Sequence, residues 1–445
     1  MKLRDLLHTD CGLRFIVDEL EIQSGVAKRL FLDTPFEINP TIIGNQYATL
    51  RQATDAIQKV DHQSITTLQF RLATLKDLHT TLANLSGGLT LDDIELFEIK
   101  HLAMLSDDVR KAMANVGMVC QLPNAEEAVR ILDPDGMRIA SFFIYNSYSP
   151  LLRELRKQQT ASPDNEALFN QLQDEELRIR KQLSEALRPL ASVLKDCLLQ
   201  IAHTDILLAK ALQIIRWNLC FPSITTDGTT RLISMWNPEV EAILSKQNKT
   251  YQRNNITLTP QPTILTGSNM GGKTVVLKTV ALCQLLTQFG LGIPATEAVI
   301  TPRIKVMMSM NDNQSIASGL SSFAAEMMQI NTILRTARTE NNLLILIDEP
   351  ARTTNPIEGT ALVSGLIEVL QATHTTCLMV THYTINAHEC PCLRVQGMEN
   401  GQMNYTLLPA LPNDVPHEAL NIAEQLGIDT EWLNAAKHHL IERFR

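Results

Sequence analysis

A chain of 445 residues, 44% hydrophobic and 20% charged, is long enough for two or three domains and has the balance of an ordinary globular protein. Its formal net charge of −9 argues against a broadly basic nucleic-acid surface, although a local basic stripe remains compatible with it. Charges interrupt the first fifteen residues, no apolar run is read as approaching the ~18 residues of a membrane span, and the eight cysteines mostly sit in apolar periodic stretches as reduced thiols do. A cytoplasmic protein with no membrane attachment and no disulfide framework is expected.

In chain order, residues 1–245 read as helical. The segment "DPDG" predicts a turn at Asp135 and Gly136, and a fresh helix starts near Ser149 and Pro150. Beyond it, Leu168, Leu172, Ile179, Leu183, Leu187, Leu194, Leu198, Ile201, Leu208 and Leu212 recur at helical spacing. They predict one long amphipathic helix, interrupted near Pro189 and packed in a bundle. The stretch "ISMWNPEVEAILSKQNKTYQRNNITL" changes the texture to polar connections and short strands, so a domain boundary is placed there.

From residue 246 onward strands and helices alternate. "QPTILTG", "NNLLILIDEP" and "TTCLMVTHY" are near-continuous apolar runs with polar residues at their ends, the pattern of a mainly parallel sheet buried on both faces. Ligands of such sheets bind beyond the carboxyl ends of the strands.

The first of these runs opens onto "GSNMGGKT": Gly267, Ser268, Asn269, Met270, Gly271, Gly272, Lys273 and Thr274. The spacing G-x-x-x-x-G-K-[ST] lets backbone N–H groups converge on phosphate oxygens. Lys273 then reaches the β- and γ-phosphates, and Thr274 offers its hydroxyl to Mg²⁺. The second run delivers Asp348 and Glu349 at a strand tip, Asp348 as a Mg²⁺ ligand and Glu349 as the group that orients or deprotonates the attacking water. The third ends at Thr381 and His382, where an imidazole can sense the γ-phosphate or position water. These three strand ends together predict nucleotide hydrolysis. Between them, Ser315 to Ser322 precede an amphipathic run; this helix entrance could be an ordinary cap or an anion site that completes a neighbour's. In "HECPC", His388, Cys390 and Cys392 crowd possible metal ligands, but the cysteines are too close for a usual zinc knuckle and no second pair answers them.

"TGSNMGGKT", "QSIASGLSSFAAEM", "LLILIDEPARTTNPIEGTAL" and "VTHY" resemble, in order and wording, the MutS family, relatives of the ATP-binding-cassette proteins best known from DNA mismatch repair. The resemblance is strong over about residues 250 to 385 and weaker but readable around "DPDGMRIASFFIYNSYSPLLRELRKQ". It implies an α/β P-loop ATPase domain (residues 246–400), preceded by an all-α core or lever domain (1–245) with a reduced clamp near 105–150. It also implies a C-terminal helical dimerisation element at 401–445, with ATP and Mg²⁺ as ligands. Asn269 and Met270 look like nucleotide-responsive positions. Tyr251 looks like the aromatic that stacks on adenine, Ser318 and Gly319 like the signature reaching a partner's γ-phosphate, and Arg352 like a basic residue near a dimer seam. Homodimers with composite ATP sites are implied.

The chain departs from the family at Ala351-Arg352-Thr353-Thr354, where the family usually has G-R-G-T, so this turn is stiffer. Pro350 also holds Glu349 away from helical conformation. Mismatch-reading, connector and nuclease domains find no counterpart in this sequence. Two targets follow. The family and the clusters "RELRKQQ" and "RIRKQ" suggest mismatched, branched or distorted DNA. The acidic balance and the altered turn suggest instead a protein client, such as a cobalamin-dependent aminomutase reactivated by ATP-driven motion.

Overall fold

The computed structural model describes residues 1–119, 121–139, 141–267, 272–310, 322–383, 385, 390–399, 402–410 and 429–443. They form two compact units: Leu20–Thr34 with Thr49–Arg216, and Met1–Glu19 with Pro35–Ala48 and Trp217–Arg445. The helices of the first 217 residues are α1 (Leu3–Leu6), α2 (Leu13–Asp18), α3 (Gly25–Leu32), α4 (Pro40–Ile57), α5 (His62–Ala73), α6 (His79–Ser86), α7 (Asp93–Val116), α8 (Glu126–Leu132), α9 (Pro150–Ala161), α10 (Glu166–Leu187) and α11 (Ala191–Trp217).

Local chemistry sets where the helices of the first unit begin and end. An Asp92–Glu95 capping box opens α7, and Gly117 in the left-handed region closes it. The Ser149 hydroxyl accepts from Leu152 N–H and Pro150 takes the first position of α9, as the sequence led us to expect. The long apolar stripe is carried by α10 and α11, with a 3₁₀ turn at Arg188–Leu190 between them: Pro189 lacks the N–H that an uninterrupted helix requires there. An 18-residue window of Glu166–Trp217 is apolar enough to cross a membrane by composition, contrary to the reading above, but 61% of it is buried in the protein, as befits the core helix of a bundle. The region read as a reduced clamp starts inside α7, whose apolar periodicity continues to Val116.

Glu175 is one carboxylate that makes this unit acid-sensitive. Glu175 on α10 accepts from Arg178 at 2.6 and 2.7 Å and from the capping Ser149 hydroxyl at 2.5 Å. The Arg178 hydrogen bonds outweigh burial, and with Ser149 they lower its pKa to about 2. A depressed carboxylate stabilises the fold above its unfolded value of about 4.3, and that contribution is lost as pH falls toward the folded value. The urea midpoint of the helical unit is therefore expected to drop between about pH 4.3 and pH 2, and Glu175→Gln is expected to flatten that dependence.

The second unit holds β1 (Ser223–Ile224), β2 (Thr230–Met235), α12 (Pro238–Lys246), β3 (Asn254–Leu258), β4 (Pro262–Thr266), α13 (Lys273–Gln288), β5 (Glu297–Ile300), β6 (Lys305–Ser309), α14 (Ser322–Thr339), β7 (Leu343–Asp348), α15 (Pro356–Gln371), β8 (Thr376–Val380), β9 (Cys392–Glu399), β10 (Gln402–Ala410) and α16 (Thr430–Arg443). Six strands form a sheet in the order β10-β9-β4-β8-β7-β6. All its pairings are parallel except β10 with β9. Every residue of β4, β7 and β8 is buried, which is why these strands read as unbroken apolar runs. On one face Ile345 and Ile347 meet Ile330, Ile333, Val363 and Ile367 from α14 and α15. The helix α13 packs against β6, β7 and β8 and takes no part in that cluster, so it covers the other face.

A smaller sheet, β1-β5-β2-β3, explains why this unit begins at Trp217 rather than near residue 245. The polar stretch around residues 230–235 is itself a strand, antiparallel to both β3 and β5. The N-terminal segments also belong here. Asn237 donates to the Cys11 carbonyl at 3.1 Å, Tyr47 to the Leu291 carbonyl at 2.8 Å, and Lys278 to Asp10 at 2.5 Å. The C-terminal element expected from residue 401 is not helical at its start, since 402–410 is strand β10; of the described residues beyond it, Thr430–Arg443 is helical.

Candidate functional site

Strand β4 is followed by Gly267, whose φ of +142° only glycine adopts readily. A Cβ there would meet the Val395 side chain at 3.1 Å. The loop rejoins the described residues at Gly272, which caps α13 with a φ of +69°. Ser268, Asn269, Met270 and Gly271 lie outside the described residues. At the first position of α13, Lys273 is 4% exposed. Its ammonium donates to the Gly267 carbonyl at 2.9 Å. Burial pushes its pKa down, against the pull of Glu349 and Asp348. One residue on, the Thr274 hydroxyl donates to Asp348 Oδ2 at 2.7 Å.

Asp348 is the last residue of β7, and its other oxygen, Oδ1, is buried and has no hydrogen-bond partner among the described residues. Burial raises the Asp348 pKa, and the Thr274 hydroxyl works against that rise. An orphaned carboxylate oxygen beside a threonine hydroxyl is a hard-oxygen donor set, which suits Mg²⁺. Glu349 lies between two cations: Lys273 Nζ is 3.6 Å from Oε1 and Arg352 Nη1 is 3.0 Å from Oε2. Its φ of +46°, and that of Ala351 at +60°, are uncommon for residues with a Cβ. Burial lowers the His382 pKa, with Glu349, Arg352 and Lys273 as its charged neighbours, so the imidazole is neutral at neutral pH.

Lys273, Thr274, Asp348, Glu349 and His382 thus converge, while Ser318, Gly319 and His388 lie outside the described residues. Tyr251 is half-buried, with its hydroxyl engaged by Thr279 on α13 and by the Asn237 backbone. An aromatic that the sequence did not flag lies beside Gly272: a Cβ there would meet Tyr405 at 3.2 Å. The pairing of β10 with β9 slips between Asn404 and Leu407, and Gln252 pins the slip. It accepts from Tyr405 N–H and donates to Asn404 and Thr406, each at 2.8 Å. Such a bulge re-aims a side chain, and no residue spacing in "QMNYTLLPA" announces it. Among the described residues no group of three or more His, Cys, Asp or Glu side chains is placed to hold a metal ion. Cys390 and Cys392 are buried thiols, and burial raises the Cys392 pKa to about 11.

A glycine loop between a buried parallel strand and a helix, with an Asp-Glu tip two strands away in the same sheet, defines the site of a P-loop nucleotide-binding domain. Residues 263–406 match the family model described as MutS domain V. Over 413 residues the chain is 27% identical to "Endonuclease MutS2" of Streptococcus mutans, a match covering 86% of this chain and 51% of that protein. Proteins of the same name from Pediococcus pentosaceus and Caldanaerobacter subterraneus are 31% and 30% identical over 62% and 61% of this chain, and 35% of each of them is covered. Residues 263–406 are thus of the MutS domain V type, the chain is similar to MutS2 proteins over most of its length, and it spans about half the length of the Streptococcus mutans relative.

Proposed function

We propose that this chain is an ATP hydrolase whose turnover drives a dimeric switch acting on mismatched, branched or distorted DNA in the cytoplasm. The observation that carries the hydrolase reading is the convergence of Lys273, Thr274, Asp348 and Glu349, with the Asp348 Oδ1 oxygen left for a further partner. On nucleotide binding, the Lys273 ammonium exchanges the Gly267 carbonyl and Glu349 for phosphate oxygens. Glu349, released on that side and still paired with Arg352, takes a proton from the water that attacks the γ-phosphorus in line as the bond to the β-phosphate oxygen breaks. The neutral His382 donates a hydrogen bond to the γ-phosphoryl group. Magnesium held by Thr274 and Asp348 would offset the charge on the β- and γ-oxygens. Tyr405, lying against Gly272, offers a ring beside the loop and Tyr251 a second one for the base.

The dimer and the DNA rest on the similarity to MutS proteins. In the family-derived reading, Ser318 and Gly319 complete a partner's site, so that bound ATP holds two copies together and hydrolysis releases them. The matched relatives give the client-remodelling alternative no support. Sedimentation velocity with magnesium and a non-hydrolysable ATP analogue is expected to show a dimer. Filter binding is expected to retain four-way junction DNA in preference to plain duplex, with affinity falling steeply as salt rises. A strictly monomeric protein under those conditions would overturn the switch, and failure to retain any DNA in every nucleotide state would overturn the target.

A further inference from the structure

Ala351 combines two features that seldom coincide: a Cβ with a φ of +60°, and 1% exposure. A conformation so disfavoured persists only where the surroundings over-determine it. Both of its backbone polar groups are held by side chains from elsewhere in the unit. Its N–H donates to Glu326 Oε1 of α14 at 3.1 Å, and its carbonyl accepts from the buried Tyr383 hydroxyl at 2.8 Å. Tyr383 follows His382, with ring centroids 4.3 Å apart, and its hydroxyl fills the space above Gly359 of α15, where a Cβ would lie 2.3 Å from it. The Glu349 N–H is fixed in turn by the Val380 carbonyl at 3.0 Å. The turn from Glu349 to Arg352 is thus bracketed by α14 on one side and by the end of β8 on the other.

We infer that Glu326 and Tyr383 are positioning residues for Glu349, which act by clamping the Ala351 peptide so that the Glu349 carboxylate stays where it can receive a proton. Neither touches the reacting atoms. This rests on the hydrolase reading above. The test is steady-state ATP turnover together with the dissociation constant for a fluorescent ATP analogue and the thermal midpoint, on the full chain. Glu326→Ala and Tyr383→Phe are each expected to lower kcat by roughly tenfold or more, with nucleotide affinity unchanged and the thermal midpoint lowered by only a few degrees, so that the protein is fully folded at the assay temperature. Glu326→Gln keeps an acceptor oxygen and is expected to retain near wild-type kcat. Gly359→Ala, which displaces the Tyr383 hydroxyl, is expected to reproduce the Tyr383→Phe loss. Wild-type kcat in Glu326→Ala and Tyr383→Phe overturns the inference, as does a kcat in Glu326→Gln no better than in Glu326→Ala. Losses that track the thermal midpoint also overturn it, because a merely structural role predicts them. A wild-type protein that hydrolyses no ATP fails the hydrolase reading instead.

Discussion

Glu349→Gln is expected to lower kcat for ATP hydrolysis by about 10²- to 10⁴-fold, the range that a positioned general base supplies, while ATP binding is retained. The amide is nearly isosteric, so the turn and its Ala351 bracket survive, but it cannot accept a proton from water at neutral pH. The substitution also strips the negative charge from between Lys273 and Arg352, at 3.6 and 3.0 Å. Lys273, buried and no longer held by Glu349, is then freer to engage phosphate. Affinity for ATP should stay level or rise as turnover collapses. Single-turnover phosphate release and equilibrium binding of a fluorescent ATP analogue separate the two quantities. A variant with near wild-type turnover would assign the base elsewhere, and one that lost both turnover and binding would make Glu349 part of the scaffold.

The second large effect lies in the helical unit. Lys100 and Asp133 are both buried and form an ion pair at 3.1 Å, each side chain 1% exposed. The Lys100 ammonium also donates to the Tyr145 hydroxyl at 2.9 Å and the Ser141 carbonyl at 3.2 Å. Asp133 accepts from Tyr145 at 2.9 Å and from Arg138 N–H at 2.7 Å. The cluster ties the segment after α8 back to the middle of α7. Lys100→Ala leaves a buried carboxylate without its cation, and the expected cost is about 3–5 kcal/mol, read as a fall in the urea midpoint followed by far-UV circular dichroism. Lys100→Met combined with Asp133→Asn removes both charges and keeps an acceptor for Arg138, so it should recover most of the loss. Burial raises the Asp133 pKa, but the Arg138, Tyr145 and Lys100 interactions outweigh it and hold the group below its ordinary value. The cluster's contribution is therefore present above about pH 3.9 and is lost as pH falls through the depressed pKa. An unchanged midpoint in Lys100→Ala would mean that water or rearrangement satisfies Asp133.

The core strands were legible because a parallel strand buried on both faces must be apolar throughout, as "LLILID" and "TCLMV" are. Pro189 was legible because its missing N–H acts locally. The boundary at Trp217 was not, since β2 has only partial alternation and is defined by its antiparallel partners, of which β5 lies more than sixty residues away in sequence. Nor was the enlistment of residues 1–19 and 35–48 into the sheet-bearing unit, which depends on single long-range hydrogen bonds such as Tyr47 to Leu291. At the site, residue type and spacing picked out Lys273, Thr274, Asp348, Glu349 and His382. Tyr405 and the Glu326–Ala351–Tyr383 bracket escaped notice because they depend on a bulge in β10 and on a left-handed alanine. Pro350 keeps Glu349 from right-handed helical conformation, which by itself favours extended backbone; the left-handed φ of +46° found at Glu349 is not given by it.

Phosphate release from magnesium and saturating ATP by the purified wild-type chain, compared side by side with Lys273→Ala, tests the hydrolase claim most directly. Steady turnover by the wild type that disappears in Lys273→Ala is the expected result. No turnover in the wild type, or equal turnover in both proteins, would contradict it.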